Sequence, residues 1–249
     1  MQHPSPPPPL TALADLDAQL HAAGYAVLDS ASLSLLGGVD TACMQRWQPL
    51  WNELPPDTYL RDGGRYRRRR HGSFVVEAGG RIEAVAHRAH WQSVDYNALH
   101  GGIERWFEAL PESLRSDAAW HRLLQGLARI ADALRGEQRW FVEAHAFRID
   151  TGDDGIGRPT PEGAHRDGVD FVAVILVARH NVKGGETRVF DVRGPQGVRF
   201  TLAEPWSALL LDDQRVIHES TPIQALRPDE PAMRDTLVLT FRAGGFQEA

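Results

Sequence analysis

The sequence predicts an α+β protein, mainly β, in which an antiparallel sandwich or barrel carries N-terminal helices packed outside the sheet. Helical periodicity is frequent before residue 138, and short apolar or alternating runs dominate after it. No stretch has the composition of a linker, so a single domain over 1–249 is expected. Its parts are a flexible Pro-rich arm over 1–10, a mostly helical part over 11–137 and a β core over 138–243.

Each element has its own signal. "PPPP" at 6–9 favours an extended polyproline arm. "LTALADLDAQLHAAG" sets Leu10, Leu13, Leu16 and Leu20 at helical spacing, and Gly24 can end the helix. "DTACMQRWQPLWNEL" and "DAAWHRLLQGLARIADALRG" are read as helices too, the second closing at Gly136. "YAVLDS" and "GSFVVEAG" are strand candidates within this half. Trp91, Trp106, Trp120 and Trp140 are assigned to packing. From 138 onward, "QRWFVEAHAFRID" alternates around Phe141, Glu143, His145 and Phe147, and "DFVAVILVAR" is almost continuously apolar. "GETRVFDV", "VRFTLAE", "WSALLLDD", "RVIHEST" and "RDTLVLTFR" follow, separated by turn residues.

Composition excludes several classes. The net charge of −6 supplies no basic field for nucleic acid. No run approaches a membrane span, and the N-terminus lacks the pattern of a secretory signal. The lone Cys43 rules out an internal disulfide and suits a reducing compartment. A cytoplasmic protein with neither membrane nor nucleic-acid partner is expected; its oligomeric state has no signal.

The chemistry concentrates in "PEGAHRDGVD". His165 and Asp167 lie two apart, so a strand would point both the same way. A solvated turn has the same letters. Downstream, His218 stands in "LDDQRVIHESTPI" and Arg234 begins "RDTLVLTFR". Two histidines and a carboxylate on one face of Fe(II) leave open positions, and an arginine fork matches a carboxylate.

These blocks, in this order, resemble the Fe(II)/2-oxoglutarate-dependent dioxygenases. They are closest to the bacterial branch of free L-amino-acid hydroxylases, isoleucine 4-hydroxylase-like, which includes a biofilm- and stress-associated homologue. The likeness is strong over 138–243 and weaker before, where "RYRRRRHGSF" carries it. It implies a double-stranded β-helix (jelly-roll) core. It also implies Fe(II) on His165, Asp167 and His218, 2-oxoglutarate and O2 as co-substrates, and Arg234 on the distal 2-oxoglutarate carboxylate. Arg242 is an alternative clamp, and Thr187 a supporting residue or a plain ladder threonine. The implied reaction is hydroxylation of an aliphatic C–H of a small substrate, a free L-amino acid. The alternative is a non-catalytic regulator sensing 2-oxoglutarate or metal in stress or biofilm behaviour. His145 and Arg148 are expected as a core histidine and a surface arginine, and Arg166 and Asp170 should face away from the metal. Arg65 to Arg70 is expected as a solvated loop, with contact to an anionic substrate group as the other option and DNA binding behind both.

Overall fold

The computed structural model describes residues 6–152 and 154–248. The helices are α1 (Leu16–Ala23), α2 (Ser30–Gly37), α3 (Thr41–Gln45), α4 (Glu112–Arg115) and α5 (Ala118–Arg135). The strands are β1 (Tyr25–Leu28), β2 (Arg67–Val76), β3 (Ile82–Ala84), β4 (Trp140–Asp150), β5 (Phe171–His180) and β6 (Val182–Gly184). They continue as β7 (Thr187–Asp191), β8 (Gly197–Phe200), β9 (Ala208–Asp212), β10 (Val216–Ser220), β11 (Ile223–Ala225) and β12 (Met233–Arg242). The major sheet runs β1-β9-β5-β12-β4-β2-β3, every pair antiparallel. Facing it are β10-β7-β8 and β11-β6. The result is a jelly roll.

Alternation on the major sheet separates two environments. Val142, Ala144 and Ala146 of β4, with Leu237, Leu239 and Phe241 of β12, point outward into one apolar cluster with the helices. α5 supplies the complementary stripe through Trp120, Leu123, Leu124, Leu127 and Ala131. Asp117 caps its first turn, and Gly136 ends it with a positive φ. The inner face is itself divided. On the β1-β9-β5 side it is apolar and packs on the smaller sheet through Val172, Leu209, Leu211, Val189 and Phe200. On the β2-β4 side the inward positions are polar: Arg69 stands opposite Phe147, His71 opposite His145 and Ser73 opposite Glu143. A cavity opens over this polar half.

Four expectations need correction. The N-terminal half is not only an outer layer of helices, since β1, β2 and β3 are strands of the major sheet itself. The arginine run is not a loop: Arg67 to Arg70 begin β2, so Arg67 and Arg69 turn inward while Arg68 and Arg70 turn out. The first helix starts later than its leucine spacing suggests, because Leu10 bridges to Val27 instead. Trp106 is 53% exposed rather than packed inside. Residues 1–5 of the expected arm lie outside the described residues.

Candidate functional site

His165, Asp167 and His218 converge in the lining of the cavity. His218 comes from β10 and is held there by pairing with Val189 of β7. His165 is not in a strand, as the two-residue spacing suggested. It forms a single antiparallel bridge with His218, exchanging both backbone hydrogen bonds, and this sets the two rings 4.7 Å apart. Asp167 lies beyond it in a loop fastened by Asp213, whose buried carboxylate accepts the backbone N–H groups of Asp167, Gly168 and Val169 at 3.0, 2.8 and 3.1 Å. Burial and the neighbouring Asp167 push Asp213 up to about 7, against the pull of those three donors.

The three side chains face one another without bonding. Nε2 of His165 and Nε2 of His218 each stand 3.9 Å from an Asp167 oxygen, too far for a hydrogen bond. His165 directs Nδ1 at the Gly163 carbonyl, 2.9 Å away. Donation there leaves the Nε2 lone pair aimed inward, the tautomer a metal ligand needs. Burial opposes charge on His165, but Asp167, Glu162 and the Gly163 carbonyl outweigh it and raise its pKa. Burial raises Asp167 and, with His165 beside it, lowers His218. Two imidazoles and a carboxylate whose inner atoms are not bonded to one another could hold a divalent cation.

A second set, His71, His90, Glu143 and His145, also brings its polar atoms together. Here all the polar atoms that meet are already paired, His71 Nδ1 alone among the set's buried nitrogens lacking a partner among the described residues. Glu143 receives His71 Nε2 at 3.0 Å, His90 Nδ1 at 3.1 Å and Arg88 Nη1 at 3.4 Å. Arg69 donates to His145 Nδ1 at 2.9 Å. With guanidiniums on both sides, a cation is poorly placed there. Burial, with the nearby arginines, lowers the pKa of all three histidines from 6.5, that of His90 to about 3. They are neutral when folded and titrate near 6.5 when unfolded. Below that pH the unfolded chain binds the extra protons. Stability is therefore expected to fall as pH drops from 6.5 towards the folded values, by up to about 1.4 kcal/mol per pH unit for each histidine. Urea denaturation at about pH 7 and about pH 5.5 measures this; equal stabilities at the two would remove the neutral-histidine account.

Arg234 is 3% exposed on β12, with Nε and Nη2 lacking partners among the described residues. Burial and Arg179 lower its pKa to about 10, so it stays charged at neutral pH. Arg179 sits opposite it on β5, beyond a bulge in the β5-β12 pairing. Gly184 and Gly185 cross over this pair, both with positive φ; a Cβ at Gly184 would lie 2.2 Å from the Pro222 carbonyl, and one at Gly185 would lie 2.9 Å from Arg179 Nη1. Buried Thr187 lines the cavity nearby. Unanswered donors in a cradle built of glycine suit a small anion.

Arg242 is elsewhere. Its Nη1 donates to the carbonyls of Gly245 and Phe246, outside this cavity, because eight residues of strand carry it away from Arg234. Arg148 is not a free surface arginine but pairs with buried Asp235 at 2.7 Å on the outer face. Asp170 is turned away, bonding Gln214 and the Ala243 N–H, and Arg166 lies over Tyr96. His145 does line the cavity. Sequence reasoning missed Gln92, Arg105, Glu162 and Asp213. Glu162 sits three before His165 in the quoted motif; Gln92 and Arg105 had no local signal at all.

A jelly roll whose cavity is lined by two imidazoles, a carboxylate and a buried arginine has the form of a mononuclear non-haem iron oxygenase. The 2OG-Fe dioxygenase family profile matches residues 48–240, and the chain belongs to that family. That family uses Fe(II), 2-oxoglutarate and O2. Its structure is similar to that of a bsmA homolog from Methylobium petroleophilum PM1, at 55% identity and TM-score 0.91, covering 96% of each chain. It shares the fold of IDO from Bacillus thuringiensis, at 17% identity and TM-score 0.75, covering 95% of this chain and 100% of that one. In sequence it is 25% identical over 155 residues to the 3(1)-hydroxy-L-isoleucine 4-dioxygenase of Pantoea ananatis (strain AJ13355). That match covers 61% of this chain and 62% of the relative, less than two thirds of its length. No helix among the described residues is long and apolar enough to cross a membrane.

Proposed function

We propose that His165, Asp167 and His218 bind Fe(II), that Arg234 and Thr187 receive the distal carboxylate of 2-oxoglutarate, and that the enzyme hydroxylates an aliphatic C–H of a free L-amino acid in the cytoplasm. One observation carries the reading: two histidines and a carboxylate whose ligand atoms converge without bonding one another share a cavity with a buried arginine whose Nε and Nη2 have no partner among the described residues. The limited likeness to an isoleucine dioxygenase supports the amino-acid substrate. So do the apolar residues Val169, Val174, Leu209 and Val238 in the cavity wall, which suit an aliphatic side chain.

The chain's own residues act by holding and orienting. Asp213 fixes the loop that aims Asp167, and the Gly163 carbonyl fixes the His165 tautomer. Gln92 Oε1 accepts from Asn97 and Arg105, which leaves Nε2 to donate to Asp167 at 3.3 Å. Arg234 would fix 2-oxoglutarate by fork geometry as well as charge. When bound, iron and 2-oxoglutarate supply the oxidation: O2 and 2-oxoglutarate are consumed, succinate and CO2 are released, and one C–H becomes C–OH.

The test is Fe(II)-dependent succinate release measured with each of the twenty proteinogenic L-amino acids. At least one is expected to stimulate release about 10-fold or more and to gain one oxygen atom by mass spectrometry. Stimulation by none would remove the amino-acid substrate and leave the family's 2-oxoglutarate chemistry standing.

A further inference from the structure

Three arginines enter the cavity from β2 and from the segment that follows β3, and their charges are answered unequally. Arg67 is neutralised by Asp57 at 2.7 Å. Arg69 and Arg105 are 4% and 2% exposed, and neither has a carboxylate at ion-pair distance among the described residues. Arg69 is wedged between aromatic faces, 3.9 Å from the Phe107 centroid and 4.6 Å from that of Phe147. Its Nη2 is used on neutral His145, and Arg105 Nη2 donates to Gln92 Oε1 at 2.9 Å. The Nε atoms of both are buried without partners. Two fixed, dehydrated, unneutralised guanidiniums on one wall repel each other until an anion arrives.

The same cavity contains the opposite imbalance. Glu162 has Oε2 buried with no partner, while Oε1 stands 3.5 Å from His165 Nε2. Beside the candidate metal set, Oε2 of this carboxylate lacks a donor among the described residues. The lining between is aliphatic and aromatic, with Phe147, Val174 and Val238. Positive donors, a negative acceptor and an apolar wall together match the three parts of an α-amino acid. A residue inside a peptide carries neither head-group charge.

We propose that Arg69 and Arg105 bind the α-carboxylate and Glu162 the α-ammonium of a free amino-acid substrate, leaving its side chain to the apolar wall. This rests on the amino-acid reading above and assigns the residues that would select the zwitterion. It also couples the substrate to the metal set, because Arg105 and Asp167 are bonded to the two ends of the Gln92 amide.

Calorimetry on the full chain, loaded anaerobically with Fe(II) and 2-oxoglutarate, tests it with the twenty L-amino acids as probes. For the tightest binder, the primary amide removes the carboxylate charge, and the N-acetyl and deamino analogues remove the ammonium. Each is expected to bind at least about 30-fold more weakly, the cost of leaving a buried charge unpaired. Arg69→Met and Arg105→Met should weaken the amino acid by a similar factor while 2-oxoglutarate affinity is kept. Glu162→Gln should erase the difference between the amino acid and its deamino analogue. Should a variant fail to fold, the analogue series on the unmodified protein decides alone. The proposal is overturned if no amino acid binds, if the amide or the deamino acid binds as tightly, or if folded arginine variants keep full affinity. An amino acid that binds by these criteria without stimulating succinate release keeps the head-group site and removes the hydroxylation reading. Stimulated release that ignores Arg69, Arg105 and Glu162 does the reverse.

Discussion

Replacing His165 or His218 with alanine is expected to reduce Fe(II)-dependent succinate formation by more than about 100-fold. Losing a residue that merely orients a metal ligand costs about 10–100-fold in affinity or activity, and losing a ligand itself costs more. Beyond the local contact of His165 Nδ1 with the Gly163 carbonyl, the two imidazoles hold no other element in place. Their Nε2 atoms make no hydrogen bond to Asp167, the nearest carboxylate contact being His165 Nε2 to Glu162 at 3.5 Å, and the two residues are joined to each other through the backbone, which alanine retains. The folded apo protein should therefore survive the change, with its melting temperature close to wild type. Succinate yield at saturating Fe(II), together with titration of Fe(II) under anaerobic conditions, measures the effect. Wild-type yield from a folded His165→Ala protein would sink the assignment. Asp167→Ala should behave in the same way, and it additionally frees Gln92 Nε2 from its acceptor.

Arg234→Met is expected to move two measurements in opposite directions. The KM for 2-oxoglutarate should rise by about 30-fold or more, since one partner of a buried ion pair has been removed. In the absence of 2-oxoglutarate the variant should be as stable as wild type or more so. Arg234 then has no partner at its Nε and Nη2 among the described residues, and replacing an unpaired buried charge by an apolar side chain of similar length removes a desolvation cost. Arg234→Lys keeps the charge but not the fork, so its KM should fall between the two. Thermal denaturation with and without 2-oxoglutarate, beside steady-state kinetics, reports both effects. Unchanged KM would place the co-substrate carboxylate elsewhere, and Arg179 would then be the residue to examine.

Most of the β architecture was legible because a half-buried strand leaves a period-two record. β4, β5, β9 and β12 coincide with runs quoted from the sequence alone. α5 was equally legible, from its apolar stripe and its terminal glycine. β2 was read only in part. "GSFVVEAG" covers its second half, while the arginines of its first half carry no apolar alternation, because one face of that segment lines a polar cavity. A run of like charges is ordinarily a solvated surface, and here the sheet register decided otherwise. His165 and Asp167 were identified for a geometry they do not have. A single bridge to His218 and a carboxylate from Asp213 bring them together, not a shared strand.

The sequence by itself determined the element types, the mainly β class, the ordered set of His165, Asp167, His218 and Arg234, and the resemblance that gave those residues a chemistry. Only the tertiary structure decided which charges are answered. It neutralised Arg67 with Asp57, left Arg69, Arg105 and Arg234 without an ion-pair partner among the described residues, bound up the four-residue His71 cluster internally, and removed Arg242 from the cavity. The physical reason is range. Periodicity and spacing are local properties of a chain, whereas burial and charge pairing depend on residues that sequence separates by tens of positions and the sheet sets a few ångströms apart.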